Sequence, residues 1–486
     1  MIYRKRDSRM IKPELKSARK RTKGPVEIRQ YKPSSGIDCI GKDKKYFIET
    51  YGCQANEADS ERMAGLLSMV GYEAADCIER ADIVILNTCA IRENAEKRVY
   101  GEIGRIMKYK AANPDLIVAL GGCMPQEETT VEKILKTKNR VDILFGTHNI
   151  ERLPEMIKER IESGKMVVEV LSEEGDIVEK IPSVRNHPFK AWVDITYGCD
   201  EFCTYCIVPY TRGKERSRQI EDIVEEVSQL AKKGYREVTL LGQNVNSYGL
   251  DYGDPEITFA ALLDKLNKLP IERIRFMTSH PKDFTDELID ILAKGGNLMP
   301  FIHLPVQSGS NAILSKMNRK YTKEQYLELV NKIKTKIPGI SLTTDIIVGF
   351  PGETEADFQE TLDLVKKAGF EGAYTFIYSK RAGTPAASMP DDVLAETKRD
   401  RLKRLNELVN RGYASGTRRF LDTTTEVLVE GKSKTDATKY CGYNPNNKLV
   451  NFPGNPEMVG KTVSVNITKA NTWSLYGEVT DKEANK

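Results

Sequence analysis

Three cysteines, Cys199, Cys203 and Cys206, stand at C-x3-C-x2-C spacing directly after Ala191–Thr196, which reads as a strand. Thiolate is the ligand that iron–sulfur clusters prefer, and three on one short loop converge on one cubane face. No fourth cysteine follows until Cys441. A ferredoxin site or a structural zinc site wants a fourth protein ligand. Three ligands leave one metal position open, and an open metal position is a reaction site. Two plainer readings compete. His187 could complete a zinc site, although it precedes the strand. The cysteines could also be unligated core residues, although buried cysteines rarely gather at ligand spacing.

A second set of thiols lies upstream. Tyr46–Glu49, Ile83–Leu86, Leu116–Leu120 and Val141–Phe145 read as strands. Asn56–Val70, Glu93–Lys110, Gln126–Lys136 and Ile150–Ile161 have helical spacing. Alternation with continuously apolar strands predicts a parallel α/β sheet covered on both faces. Cys53, Cys89 and Cys123 each follow one of the first three strands. Carboxyl ends of parallel strands share one edge, where such folds bind ligands, so these three predict a second cluster. Gly52, Gly121 and Gly122 would let backbone approach it closely. Cys39, Cys77 and Cys441 have no matching partners and read as structural.

The elements that must position the first set repeat as β and α. Strands are expected at Ala191–Thr196, Glu237–Leu241, Arg273–Met277, Phe301–Leu304, Ser341–Ile347 and Ala373–Tyr378. Helices are expected at Gln219–Lys233, Thr258–Lys268, Thr285–Ala293, Lys323–Lys336 and Glu355–Ala368. Six such units predict a partial (β/α)6 barrel with its site at the strand carboxyl ends. Four polar, Gly/Pro-marked loops follow these strands, at 241–247, 279–281, 304–309 and 347–353. Together they read as a binding rim; singly, each reads as an ordinary turn. His280 and His303 are candidates for polar contacts only. Leu394–Arg411 reads as a helix stopped by Gly412. From about Thr423 the pattern has period two and predicts a small β-barrel of four or five strands. There Lys432, Lys434, Lys439, Lys448, Lys461 and Lys469 interleave with Tyr440, Tyr443 and Trp473. That mixture suits nucleic-acid backbone contact plus base stacking; a plain solvated surface is the alternative.

The totals set bounds. A chain of 486 residues implies two or three domains. No apolar run reaches the roughly 18 residues that span a bilayer, and the opening Met1–Arg6 has no signal-peptide pattern. Nine cysteines in a chain this size point to a reducing, cytoplasmic setting and metal chemistry rather than a disulfide framework. Residues 1–32 hold twelve Lys/Arg against three acids, a net of +9, leaving −5 for residues 33–486 of the overall +4. That arm reads as a flexible basic tail able to touch phosphates, as a solvated tail without a partner, or as an organelle transit peptide, a reading its acids and few serines weaken.

Tyr205 makes the central motif C-x3-C-x-aromatic-C, which resembles the radical S-adenosylmethionine (SAM) enzymes. The resemblance implies a 4Fe–4S cluster on Cys199, Cys203 and Cys206, whose open iron holds the amino and carboxyl groups of SAM. It implies reductive cleavage of SAM to a 5′-deoxyadenosyl radical. It makes Tyr205, Gln243, Asn244, Gln307, Gly349 and Pro351 candidate SAM-binding residues, the last two at a Gly-Phe-Pro-Gly turn near the adenine.

From residue 44 onward the order of parts is similar to the methylthiotransferases. The phrases at 52–56, 87–93, 203–218, 241–248 and 304–310 carry the likeness, above all Cys203-Thr-Tyr-Cys-Ile-Val-Pro-Tyr-Thr-Arg-Gly-Lys-Glu-Arg-Ser-Arg218. This implies a basic arm (1–43), an N-terminal methylthiotransferase domain (44–162), a linker (163–184) with at most one hairpin, a radical SAM core (185–415) and a TRAM domain (420–483). It implies two 4Fe–4S clusters, with Cys53, Cys89 and Cys123 holding the sulfur-delivering one. One SAM would methylate that sulfur. A second would yield the radical that removes hydrogen from C2 of N6-isopentenyladenosine beside the anticodon of tRNA. The N-terminal domain would then cover the barrel mouth, with the adenine flipped between the clusters. The implied partners are the tRNA anticodon stem-loop and an electron donor such as a flavodoxin or ferredoxin; the sulfur donor stays open. Relatives acting on threonylcarbamoyladenosine or on a ribosomal protein aspartate are the alternatives within the family. A non-enzymatic iron–sulfur RNA-binding protein is the alternative outside it, and such a protein gains nothing from open iron positions.

Overall fold

The structure is a computed structural model, and it describes residues 2–3, 18, 26–89, 93–136, 141–171 and 176–480. Strands Lys45–Tyr51, Ile83–Thr88, Ile117–Gly122 and Ile143–Phe145 pair in parallel, as expected. Every residue of the two central strands is buried, because helices cover both faces. Helices Gln54–Met69 and Leu153–Ser163 pack Met63, Leu66, Leu67, Met156 and Ile157 on one face. Helices Glu93–Ala112 and Glu128–Lys136 pack Val99, Ile103, Ile106, Val131 and Ile134 on the other.

Two expectations are corrected here. The segment read as a linker is built into structure. Val167–Glu169 extends the sheet beside Ile143–Phe145, and Ile2–Tyr3 pairs with it at the edge. Ile177–Glu179 pairs in parallel with Ile28–Gln30, so part of the stretch read as a basic arm (1–43) is a strand. Arg29 of this segment binds Glu151 at 2.7 Å and Asp176 at 3.3 Å. Most cations of the basic arm, from Arg4 to Lys23, lie outside the described residues.

The central unit has all six expected parallel strands, as two three-stranded sheets. Lys190–Asp194, Glu237–Leu241 and Arg273–Phe276 form one. Phe301–His303, Ser341–Val348 and Ala373–Ile377 form the other. An isolated parallel bridge pairs Ile274 of the first sheet with Leu298, three residues before the first strand of the second. Period-two alternation splits the two faces of the sheet wall. Val193, Val238, Leu240, Ile274 and Phe276 pack under the helices. Lys190, Glu237, Arg273 and Arg275 are the alternate residues, and Glu237 binds Lys190 at 3.3 Å and Arg275 at 2.9 Å. Thr258, Thr285, Thr322 and Thr354 accept from backbone N–H groups at their helix starts, which sets where each helix begins.

Helix Ala395–Arg418 runs through Gly412, the expected stop. A side chain at Gly412 would meet the Phe370 carbonyl oxygen at 2.3 Å, and one at Gly416 would meet Glu371 Cβ at 2.8 Å. These glycines let the helix lie against the barrel rather than end.

The last five strands close into a barrel: Thr424–Lys432, Tyr440–Tyr443, Leu449–Phe452, Ser474–Val479 and Thr462–Ala470. Its loop at 443–448 seats against the wall of the central unit. Arg273 Nη1 donates to the Tyr443 carbonyl at 2.7 Å. Arg275 Nη2 and Nη1 donate to the Asn444 and Pro445 carbonyls, each at 2.9 Å. Lys448 pairs with Glu371 at 2.9 Å.

Candidate active site between two cysteine sets

Strand register brings the upstream thiols together. Tyr51 pairs with Thr88, and Thr88 with Gly122, so Cys53, Cys89 and Cys123 leave the sheet side by side. Cys123 N–H donates to the Thr88 carbonyl at 2.8 Å. Asn56, wholly buried, ties the edge together. Its Nδ2 donates to Asn87 Oδ1 at 3.2 Å and to the Thr88 carbonyl at 3.3 Å, while its Oδ1 lies 3.4 Å from Cys53 Sγ. Cys89 and Cys123 are buried and Cys53 is exposed. The neighbouring glycines serve packing. A side chain at Gly52 would strike Asn56, one at Gly121 the Phe145 ring, and one at Gly122 the Thr88 carbonyl. The close approach expected toward a cluster is thus made toward the protein itself.

The central set sits on a loop clamped from several sides. Thr204 N–H and Oγ1 donate to the Met317 and Lys316 carbonyls, at 3.0 and 2.8 Å. Asn318 Nδ2 donates to the Phe202 carbonyl at 2.9 Å, holding Phe202 at a left-handed φ of 47°. Gln243 Oε1 accepts from Gly198 N–H at 2.5 Å, just before Cys199. Arg319 Nη1 donates to Cys203 Sγ at 3.4 Å. Burial and the neighbouring thiols push Cys199 well above its ordinary pKa and Cys206 up to about 12. Three thiols gathered in low dielectric resist joint ionisation, and a bound metal cluster offsets that cost.

The spacing does not suit a single tetrahedral ion. Among the described residues, neither set brings three sulfurs within 4.8 Å of one another. A tetrahedral zinc with bonds of about 2.3 Å would hold its sulfurs roughly 3.8 Å apart. A cubane carries each thiolate on a different iron, so its ligands stand farther apart. His187 packs edge-on against Phe189 and accepts from the Phe189 N–H at 3.5 Å.

Cys123 shares one buried apolar cluster with Phe202, Ile207 and Tyr210 of the central loop. Arg212, one turn further, crosses into the N-terminal domain and binds Asp59 at 2.7 Å. Burial pushes the Cys123 thiol up while Arg212 pulls it down. Arg62 reinforces the junction, binding Asp194 and, at 3.2 Å, Asp59. Beside the central loop, Asp200, Glu201, Lys214, Glu215 and Lys282 line a cavity of about 620 Å³.

Comparison with known proteins decides the family. Residues 193–365 match the Radical SAM superfamily, residues 45–146 the Uncharacterized protein family UPF0004, and residues 418–480 the TRAM domain. The tRNA-2-methylthio-N(6)-dimethylallyladenosine synthase of Oceanobacillus iheyensis is 56% identical over 466 residues, 96% of this chain and 90% of the relative. The chain belongs to the tRNA-2-methylthio-N(6)-dimethylallyladenosine synthase family. The synthase of Bacillus subtilis is 55% identical over 470 residues, 96% of this chain and 92% of its own. A radical S-adenosylmethionine methyltransferase from Kitasatospora setae, solved with cobalamin and a [4Fe-4S] cluster, shares the fold: TM-score 0.52, 16% identity, 71% of this chain and 77% of that one.

In this synthase-family chain the six residues expected to bind SAM occupy distinct settings. Tyr205 is half-buried against Met317, Phe350 and Tyr378. Gln243 is engaged with Gly198. Asn244 Nδ2 donates to Asp283 Oδ2 at 2.8 Å, and its buried Oδ1 has no partner among the described residues. Gln307 stands at φ 71°, its N–H on the Asp345 carbonyl at 2.8 Å. Gly349 N–H donates to Glu353 Oε2 at 2.7 Å, and Lys398 fills the space beside it, so that close approach is already occupied. Pro351 is buried in the same turn. His280 accepts from Lys282 N–H at 3.2 Å through Nδ1; His303 Nδ1 lies 3.0 Å from Thr343 Oγ1. Cys39 lies in an exposed turn, Cys77 precedes a short 3-10 helix, and Cys441 sits on a barrel strand.

Sequence reasoning assigned no role to Arg212, Asp59 or Arg319. Arg212 stands inside the phrase 203–218 that carries the family likeness, and that was its only signal. On the last barrel, Tyr440 is core, Tyr443 faces Lys190 and Lys448 is paired. Trp473 is 66% exposed, and Lys439 and Lys469 lie over the Tyr476 ring at 4.9 and 5.9 Å.

Proposed function

We propose that this chain is a radical SAM methylthiotransferase that adds a methylthio group to C2 of N6-isopentenyladenosine beside the anticodon of tRNA. The observation that carries the reading is the packing of Cys123 against Phe202, Ile207 and Tyr210, on the loop that holds the central cysteines. Cys199, Cys203 and Cys206 would hold one 4Fe–4S cluster and Cys53, Cys89 and Cys123 the other. When bound, the clusters and SAM supply the radical, the methyl group and the sulfur.

An aromatic C–H has no useful acidity, so the chain's own task is placement rather than proton transfer. The strand edge of the N-terminal domain presents its thiols to the mouth of the barrel. Phe202, Ile207 and Tyr210 keep water from the space between the sets, which protects a radical from quenching. The ion pairs of Arg212 and Arg62 hold the two domains at one separation. Asn244, with a buried acceptor still open, is the best supported contact for SAM. Tyr205, Gln307 and Pro351 belong to the same rim, while Gln243 and Gly349 act through the loops they brace. The TRAM barrel would take the tRNA through Trp473, Tyr476 and the lysines around them. A flavodoxin or ferredoxin in the cytoplasm would supply the electron.

Mass spectrometry of tRNA nucleosides from cells lacking the protein tests this. Loss of 2-methylthio with accumulation of isopentenyladenosine is expected. Unchanged methylthio-isopentenyladenosine would move the target to another nucleoside or to a protein.

A further inference from the structure

Each cysteine set has one buried guanidinium beside it, and the two are paired differently. Arg212, beside Cys123 and Cys53, has its charge met by Asp59 at 2.7 Å. Arg319 donates Nη1 to Cys203 Sγ at 3.4 Å, Nε to the Tyr321 hydroxyl at 2.8 Å and Nη2 to the Pro305 carbonyl at 3.0 Å. Its guanidinium also lies over the Tyr321 ring at 5.1 Å. Among the described residues no carboxylate pairs with Arg319. The turn that delivers it is rigid, because Asn318, one residue earlier, clamps the Glu201 and Phe202 carbonyls.

We infer that Arg319 is a positioning residue that raises the reduction potential of a cluster held by Cys199, Cys203 and Cys206. The inference rests on the reading of those three cysteines as cluster ligands. Reduction adds one negative charge to a cluster and its thiolates. A fixed, uncompensated cation on one ligand sulfur stabilises the reduced form more than the oxidised form, and burial strengthens the effect. The N–H···S bond works in the same direction by drawing charge from the sulfur. Three acceptors hold the planar fork in one orientation, which a lysine would not match. Arg212 differs because Asp59 cancels most of its field.

The test uses the full chain carrying C53A, C89A and C123A, so that one cluster remains. Iron content and the spectrum of the reduced cluster are recorded first; a parent without iron would overturn the ligand reading itself. R319K and R319Q are then compared by redox titration followed by electron paramagnetic resonance. At the parent's midpoint, the ratio of reduced to oxidised cluster should fall about tenfold or more in R319Q and by less in R319K. Equal ratios in all three iron-loaded proteins would overturn the inference. Should R319Q fail to hold iron, pulsed resonance on the parent labelled with 15N-arginine reads the contact directly. A nitrogen coupling to the reduced cluster is expected, and its absence overturns the inference.

Discussion

Arg212 Nη2 lies 2.7 Å from Asp59 Oδ2, and both residues are buried where the N-terminal domain meets the barrel. Asp59 has a second cation, Arg62, at 3.2 Å, whereas Arg212 has no other carboxylate among the described residues. The two partners are therefore unequal. D59A strands a buried guanidinium and should cost the iron-free chain about 3–5 kcal/mol. R212A leaves Asp59 paired and should cost less. Denaturant unfolding of both variants checks the order, and a larger loss in R212A would contradict it. Iron loading should narrow the D59A deficit, because thiolates and a cluster would then face Arg212.

The two cysteine sets should separate in activity. C199A should abolish reductive release of 5′-deoxyadenosine from SAM. C53A should leave that release intact and stop methylthio formation. Chromatography of SAM products and of tRNA nucleosides reads both; equal loss of both activities in C53A, with the fold intact, would refute two roles.

Arg275 ties the last barrel to the central wall by two carbonyl contacts and by Glu237 at 2.9 Å. R275M strands the Asn444 and Pro445 carbonyls and removes one of the two cations on Glu237. Amide exchange in residues 443–448 should rise, and tRNA affinity should fall because the barrel no longer holds one orientation. Unchanged exchange would place the anchoring elsewhere.

Lys439 and Lys469 lie over the half-buried Tyr476 ring, and Trp473 three residues earlier is exposed. If that face tracks the tRNA backbone, K439Q and K469Q should each lower the salt dependence of binding by roughly 0.7–0.9 in log–log slope. W473A should weaken binding without changing the slope. Titrations at several salt concentrations distinguish the two effects.

Burial, with Arg319 and Lys282 nearby, holds His280 down to about 2. Tyr321 packs on its ring, and Glu201 and Asp283 line the same corner. The unfolded chain therefore binds a proton that the folded chain refuses between about pH 2 and 6.5. In that window stability rises with pH, by up to roughly 1.4 kcal/mol per unit; above it the contribution is flat. H280N, which keeps an acceptor for the Lys282 N–H, should flatten the slope between pH 5 and 6.5. An unchanged slope in urea unfolding would assign the acid sensitivity to other groups.

Much of this molecule is legible locally. Cysteine spacing, the alternation of apolar strands with helices and the Thr starts of the barrel helices all act within a few residues. The six barrel strands stand where periodicity puts them. Errors fall where a segment's partner is distant. Val167–Glu169 and Ile177–Glu179 are too short to announce themselves, and become strands only because Ile143–Phe145 and Ile28–Gln30 lie beside them. Gly412 has the form of a stop, but the wall at Phe370 turns it into a contact. Tyr440 looks like a stacking surface residue until the barrel closes around it.

The sequence by itself determined which chemistry the chain carries: two sets of three thiols at strand ends, on separate domains. Only the tertiary structure decided that Cys123 packs against the loop of the central set and which cations stand beside each set. Arg212 meets Asp59 across 153 residues, and Arg319 meets Cys203 across 116. Side-chain type and spacing state what a residue can bind, whereas a buried charge's partner is selected by packing, which no local pattern records.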